Sequence, residues 1–243
     1  MGCVKIAAMR STVISFLLAS LAAGAFLSAR GETPMSAERR QIDHVIVGTA
    51  DLGRGIEEFQ QLTGVKPIAG GVHPGRGTHN ALVALDKGRY LEILAPMPDA
   101  PPSAYLDRLR TLKTLTPFGW AVSTNDPDAT IRLLKDAGYD VTGRMPGSRV
   151  KADGTRLDWV SFGITPELEQ VPFFISWSPS TQHPSVDSPA GCSLAAIAID
   201  VPAQASTSRR LLDLLLVGVD VKSGEAPRMQ LTLQCPKGIV RLG

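Results

Sequence analysis

Two histidines and a glutamate stand inside apolar stretches in the first half of the chain. His44 lies in IDHVIV, His79 in THNALVAL and Glu92 in RYLEIL. Alternation along a β-strand puts each of them on an otherwise apolar face, so we predict that all three point inward. An ionised carboxylate on such a face must be paired or coordinated, which makes Glu92 the most informative of the three.

Two kinds of site fit this set, and the sequence leaves both open. Two imidazoles and a carboxylate suit one divalent metal (zinc, nickel, manganese or iron), with coordination positions left for substrate oxygens. In the other interpretation no metal is bound. His44 is then a core histidine, and Glu92 pairs with His44, His79 or an arginine in a buried polar pocket.

The elements that carry these residues form a repeated pattern. A strand, an amphipathic helix that stops at a glycine, and strand-like sequence with a hairpin recur from Ile42, Gly119 and Leu194, about 75 residues apart. The strongest hairpin signal is Asp153-Gly154, in RVKADGTRLDWV. The pattern predicts an α+β fold built from about three βαβββ modules.

Five motifs carry a family resemblance. In order, IDHVIV, HPGRGTHNAL, YLEILAP, SRVKADGTRLDW and PFFISW resemble the glyoxalase-like branch of the vicinal oxygen chelate superfamily. The resemblance implies that the modules pair into a cupped mixed sheet around a metal or ligand site. The resemblance covers residues 42–179, where we expect the paired modules. Past Ser180 only the repeated pattern continues, and it predicts a proline-rich linker at 180–193, with His183 at the surface or as a pocket lid, and a third, shorter βαβββ module at 194–243.

The resemblance also restricts the metal ligands. Metal-dependent relatives take a histidine from the opening strand and a glutamate from the closing strand of both paired modules. The matching positions in module two here hold Trp120 and Ile175, which cannot bind a metal. Any metal would need His44, His79 and Glu92 of module one alone.

Further residues are candidates for substrate binding. Residues of the SRVKADGTRLDW stretch line the cup in the resembled family, so Arg149 and Arg156 could clamp a carboxylate, the alternative being a solvated hairpin face. His73 and Asn80, in the glycine-rich HPGRGTHN, are candidates for a pocket rim, the alternative being a plain turn. Trp159 is expected in the core or in an aromatic pocket wall.

The N-terminal segment predicts export. An apolar stretch from Val13 to Leu27 follows a basic start and precedes Ala29-Arg30-Gly31, which is typical of a signal peptide at residues 1–31 followed by a linker at 32–41. An uncleaved membrane anchor is one alternative. A cytoplasmic protein whose translation starts at Met35 is another.

Charge and cysteines restrict the partners and the compartment. The formal net charge is only +2, which argues against nucleic acid as a partner. Cys192 and Cys235 are too few for a disulfide framework, and either one bridge or two free thiols fits the sequence.

These observations predict a protein that binds a small oxygenated metabolite, of the α-keto or α-hydroxy class and anionic if the arginines bind it. In the enzyme hypothesis Glu92 and His79 are catalytic. A binding or sequestration protein without chemistry and a metal-dependent ring-cleaving dioxygenase are the alternatives. A homodimer is open, and the chain has neither a GxSxG nor a GxGxxG motif for acyl or hydride transfer.

Overall fold

The computed structural model describes residues 1–2, 40–86, 88–151 and 153–243. The predicted signal peptide from residue 3 onward and the linker up to residue 39 lie outside the described residues. Within the described part of the chain, no helix has both the length and the apolar character needed to cross a membrane.

Module one follows the predicted order of elements. Its helix is capped at both ends by the chain itself: the Asp51 side chain accepts from Arg54 N, and Gly64, at φ 82°, donates its N–H to Gln60 O. The predicted glycine stop is therefore confirmed. The elements are β1 (Ile42–Gly48), α1 (Leu52–Thr63), β2 (Ile68–His73), β3 (Thr78–Ala84) and β4 (Tyr90–Pro96).

Module two repeats the order after an additional helix that the sequence pattern did not predict. Ser103 caps that helix, and Asp126 caps the helix of the module itself. The predicted Asp153-Gly154 hairpin pairs Val150 with Arg156. The elements are α2 (Ala104–Arg110), β5 (Thr116–Ser123), α3 (Pro127–Asp136), β6 (Met145–Val150), β7 (Arg156–Phe162) and β8 (Phe173–Trp177).

Modules one and two form one eight-stranded sheet with the strand order β2-β3-β4-β1-β5-β8-β7-β6. In each module the first strand lies parallel to the last, and β1 and β5 join the two modules in antiparallel fashion. The sheet curls until its edges meet, where Arg149 of β6 donates to the carbonyl oxygen of Gly70 on β2. The predicted cupped mixed sheet of a vicinal oxygen chelate fold is confirmed.

Module three keeps the order of elements but not the order of strands. It forms a separate four-stranded sheet in the order β10-β9-β11-β12, in which the first strand lies parallel to the second instead of the last. Its short helix crosses directly to the neighbouring strand, whereas the helices of modules one and two lead to the far edge of the module. The elements are β9 (Ser193–Val201), α4 (Ser206–Leu215), β10 (Asp220–Ser223), β11 (Arg228–Cys235) and β12 (Gly238–Leu242).

The three modules share one hydrophobic core. Phe59 of α1, Trp120 of β5 and Ile199 of β9 belong to the same cluster of fully buried side chains. A disulfide between Cys192 and Cys235 ties the start of β9 to the end of β11. Both faces of the large sheet are therefore occupied, one by this core and the other by the polar cavity described below.

Candidate functional site

The concave face of the large sheet encloses a cavity of about 490 Å³. Its walls come from both paired modules and from Tyr105 on α2. The exposed residues Arg76 and Met145 lie at the rim, on the turn between β2 and β3 and at the start of β6. A volume of this size suits a small organic ligand.

His44 and Glu92 meet inside this cavity. They stand on the neighbouring strands β1 and β4, are 3% and 6% exposed, and place His44 Nε2 3.8 Å from Glu92 Oε2. Asn80 on β3 donates a hydrogen bond of 2.7 Å from Nδ2 to Glu92 Oε1. Asn80, predicted at a pocket rim, thus lies in the interior, and its own Oδ1 is buried without a hydrogen-bond partner among the described residues.

His79 does not join this pair, which corrects the prediction of a catalytic and metal-binding role for it. In the β3–β4 register Asn80 pairs with Leu94 and Leu82 with Glu92, so this alternate set faces the cavity. His79 pairs with Ala95, on the opposite face of the sheet. Both faces of β3 are buried, so an apolar neighbourhood did not tell which face held the cavity.

The cavity does not fit the metal that the superfamily commonly uses. His44 Nε2 and Glu92 Oε2 are two possible ligand atoms, but module two contributes the apolar Phe173 and Ile175 to the wall in place of further ligands. Nowhere in residues 40–86, 88–151 and 153–243 do three or more His, Cys, Asp or Glu side chains come together as a metal site. The predicted facial triad of a ring-cleaving dioxygenase does not form from His44, His79 and Glu92, because His79 lies on the opposite face of the sheet.

Asp43 is a buried group that the sequence reasoning missed. The β1–β5 register skips it between Ile42 and His44, so it is a β-bulge residue and can turn its side chain toward its neighbour. Its Oδ1 lies 2.7 Å from His44 Nδ1. Burial by itself would raise the pKa of Asp43, but hydrogen bonds from His183 and His44 and their charges hold that pKa far below its usual range. The signal in the sequence was an acid directly beside a histidine in an apolar strand.

The two predicted arginines have different surroundings. Arg149 is 5% exposed and lines the cavity, and its Nη1 donates to the Gly70 carbonyl oxygen. Gly70 is the extra residue of a bulge in β2, which leaves its carbonyl group free for this contact. In the β6–β7 register Arg149 pairs with Leu157, so Arg156, the residue before Leu157, lies on the opposite face of the sheet. Arg156 is exposed, and its Nη2 lies 2.9 Å from Asp158 Oδ1. The prediction that Arg156 lines the pocket is therefore wrong.

Aromatic side chains form one wall of the cavity. Trp159 belongs to this wall and not to the core, and its indole meets the His73 ring edge to face with centroids 6.1 Å apart. His73 lines the cavity as predicted, with Nδ1 3.1 Å from Thr78 Oγ1, and burial lowers its pKa. Tyr90, which the prediction did not include, stacks on His44 at 4.5 Å.

Two tyrosine hydroxyl groups of the cavity stay protonated. Burial, and then the negative charges of Asp43 and Glu92, raise the pKa of Tyr90 well above its usual value. Burial, followed by the charge of Glu92, raises the pKa of Tyr105 to about 12. Both hydroxyl groups are thus available as hydrogen-bond donors at neutral pH.

Comparison with known proteins identifies the fold and the family of the chain. A family model of the glyoxalase-like domain matches residues 42–215. A hypothetical protein from Staphylococcus aureus has a similar structure at 16% identity, with a TM-score of 0.62 over 84% of this chain and 99% of that one. No curated protein sequence matches the chain.

Methylmalonyl-CoA epimerases are also among the similar structures, at lower scores. The Mycobacterium tuberculosis enzyme matches at 18% identity and a TM-score of 0.39, over 58% of this chain and 88% of that one. A Streptomyces coelicolor epimerase matches at 20% identity and a TM-score of 0.41, over 56% of this chain and 96% of that one. Because the family model covers most of the chain, the chain belongs to the glyoxalase-like domain family of the vicinal oxygen chelate superfamily.

Proposed function

We propose that this chain binds a small anionic, oxygenated metabolite of the α-keto or α-hydroxy acid class and moves a proton on it. One observation carries the proposal. Arg149 is a buried cation without a carboxylate partner in the described part of the chain, and it faces the same cavity as Glu92 and His44.

The arginine supports an anionic ligand. A guanidinium group has five N–H donors, and Arg149 uses one of them on the Gly70 carbonyl oxygen. A buried charge without a counter-ion is unfavourable, and a ligand carboxylate would supply both the charge and a bidentate acceptor. We therefore assign the anionic end of the ligand to Arg149.

The Glu92 and His44 pair supports proton transfer. Glu92 takes the proton from the carbon next to the carbonyl group of a keto acid, or from the hydroxyl-bearing carbon next to the carboxylate of a hydroxy acid. For a keto acid the C–H bond breaks, the proton goes to a Glu92 oxygen, and the electron pair moves to the carbonyl oxygen as an enolate. His44 Nε2, 3.8 Å from Glu92 Oε2, accepts the proton onward. The protonated hydroxyl group of Tyr90 donates to the enolate oxygen.

Hydrogen exchange with solvent tests this proposal. Pyruvate and lactate are incubated with the protein in D₂O, and loss of the carbon-bound protons is followed by ¹H NMR. Glu92→Gln keeps the shape and the Asn80 contact but cannot take a proton, so we expect its exchange rate to fall about 100-fold or more. Glu57→Gln is the matched control, because Glu57 is exposed on α1 outside the cavity.

The outcomes separate the enzyme from its alternative. Exchange that is lost in Glu92→Gln and kept in Glu57→Gln supports the enzyme. Binding of the acids by calorimetry without exchange in the wild type indicates a sequestration protein of the same fold. Absence of both binding and exchange across a panel of keto and hydroxy acids overturns the proposal.

We also propose that the protein is exported. The bridge between Cys192 and Cys235 supports this localisation, because disulfides persist in oxidising compartments. The mature protein should then lack residues 1–31 and have no reactive thiol, which mass spectrometry of the protein purified from its native host measures. An intact N-terminus would contradict a cleaved signal peptide, and two free thiols would contradict export.

A further inference from the structure

Asp43 collects three hydrogen-bond donors around one buried carboxylate. It is 4% exposed, and its Oδ1 lies 2.7 Å from His44 Nδ1. Its Oδ2 accepts from Trp177 Nε1 at 3.0 Å and lies 3.3 Å from His183 Nε2. The donors come from three different parts of the chain: β1 itself, β8 and the proline-rich linker.

We propose that Asp43 and the linker residue His183 are positioning residues that hold His44 with its Nε2 unprotonated and directed at Glu92. Neither residue contacts the substrate. The proposal rests on the proposed function only where it concerns catalysis, since the protonation pattern of His44 can be measured on its own.

The hydrogen bonds dictate which nitrogen of His44 carries the proton. An ionised carboxylate has no proton to donate, so the His44 nitrogen that faces it must be the donor. In neutral His44 the proton is thus on Nδ1, and Nε2 presents its lone pair toward Glu92 Oε2. A group that accepts protons from Glu92 needs this tautomer.

The hydrogen bonds of His183 also determine which of its nitrogens carries the proton. The backbone N–H of Ser185 donates to His183 Nδ1 at 3.3 Å, so Nδ1 is the acceptor and Nε2 carries the proton that goes to Asp43. Aromatic contacts hold the ring, because its centroid lies 5.5 Å from both Tyr90 and Trp177 in edge-to-face geometry. Tyr90 also stacks on His44, so it lies in contact with both His44 and the linker residue His183.

This arrangement makes Asp43→Asn a sharp test. Two donors, Trp177 and His183, surround the Oδ2 position and require an acceptor there. The asparagine oxygen will take that position and its NH₂ group will face His44. His44 must then accept on Nδ1 and carry its proton on Nε2, which is the wrong tautomer for accepting a proton from Glu92.

Long-range ¹H–¹⁵N spectra of the ¹⁵N-histidine-labelled full chain read the tautomers directly, at about pH 8, where an ordinary histidine is neutral. We expect Nδ1–H for His44 in the wild type and Nε2–H in Asp43→Asn. A wild-type His44 protonated on Nε2 overturns the proposal whether or not the variant folds. The same tautomer in both proteins also overturns it.

The role of the linker is tested with a second pair of variants. His183→Phe keeps an aromatic ring but removes the donor, and we expect kcat for exchange to fall about 10-fold with KM unchanged. His183→Gln, which can donate from its amide, should restore most of the rate. Gln182→Ala is the matched control, because Gln182 is an exposed neighbour in the linker.

A His183→Phe variant as active as Gln182→Ala overturns the role of the linker, and so does a loss that His183→Gln fails to restore. If the wild type shows no exchange at all, the proposed function fails. The tautomer of His44 then still decides whether Asp43 positions it.

Discussion

Replacement of Arg149 by methionine removes the charge on which the proposed ligand class depends. Arg149 is 5% exposed. Methionine has nearly the length of the aliphatic part of arginine, so it still fills the space of that part but makes no hydrogen bond. In the unliganded protein the Gly70 carbonyl group loses its donor. The same change removes a buried charge that has no carboxylate partner among the described residues.

These effects give the expected magnitudes. A lost hydrogen bond to a charged group is worth about 1.5–3 kcal/mol, so binding of a carboxylate ligand should weaken about 10- to 100-fold. A neutral ester of the same acid lacks the negative charge and the bidentate carboxylate, so its binding should weaken much less than that of the acid. In the unliganded protein, loss of the hydrogen bond to the Gly70 carbonyl oxygen is destabilising, whereas removal of the buried charge is stabilising. The free energy of unfolding should therefore change by less than about 2 kcal/mol.

Calorimetry with pyruvate and methyl pyruvate measures the coupling between the residue and the ligand charge. The wild type should prefer the acid, and Arg149→Met should lose most of this preference. Arg156→Met is the matched control, because Arg156 is exposed and paired with Asp158 outside the cavity. Unchanged preference in Arg149→Met, or an equal loss in Arg156→Met, would refute the reasoning.

Three further predictions concern stability. Because the pKa of Asp43 is lower in the folded than in the unfolded protein, its ionised form stabilises the fold above the unfolded pKa of about 4. This stabilisation is lost as the pH falls from there toward the pKa of the folded protein. Acid titration should therefore show a smaller loss of stability below about pH 4 for Asp43→Asn than for the wild type. In Gly147→Ala the new methyl group would collide with the Trp159 indole, and urea denaturation should report a loss of about 1–3 kcal/mol, whereas wild-type stability would contradict this packing. Opening the Cys192–Cys235 bridge, which spans 43 residues, should lower the free energy of unfolding by about 4 kcal/mol, and an unchanged urea midpoint after reduction would contradict this.

Local signals in the sequence were sufficient for the elements and for part of the site. Gly64 ends α1 because a left-handed residue is needed there, and the Asp153-Gly154 turn joins β6 and β7 because those residues tolerate its backbone angles. Glu92 and His44 could be expected to meet because both are polar residues in strands of otherwise apolar sequence. Each inference used only neighbours in the chain.

The incorrect predictions concern positions at which the local sequence does not show which face of a strand lines the cavity. Both faces of β3 are buried, so apolar neighbours could not tell His79, on the core face, from Asn80, on the cavity face. Arg149 and Arg156 stand on the two strands of one hairpin. Their side chains lie on opposite faces of the sheet, so that of Arg149 is buried and that of Arg156 is exposed. His183 was expected at the surface or as a lid. Its contact with Asp43 could not be predicted, because the two residues are 140 positions apart in the chain.

The sequence by itself determined the repeated βαβββ pattern, the glycine stops, the hairpin and the presence of a buried acid with a histidine near it. These features depend on backbone preferences and on strand period, which act over a few residues. Only the tertiary structure decided which side chains share the cavity. Curling of the eight-stranded sheet brings Arg149 to the Gly70 bulge, and the linker brings His183 to Asp43, because contacts between distant segments depend on strand order and register.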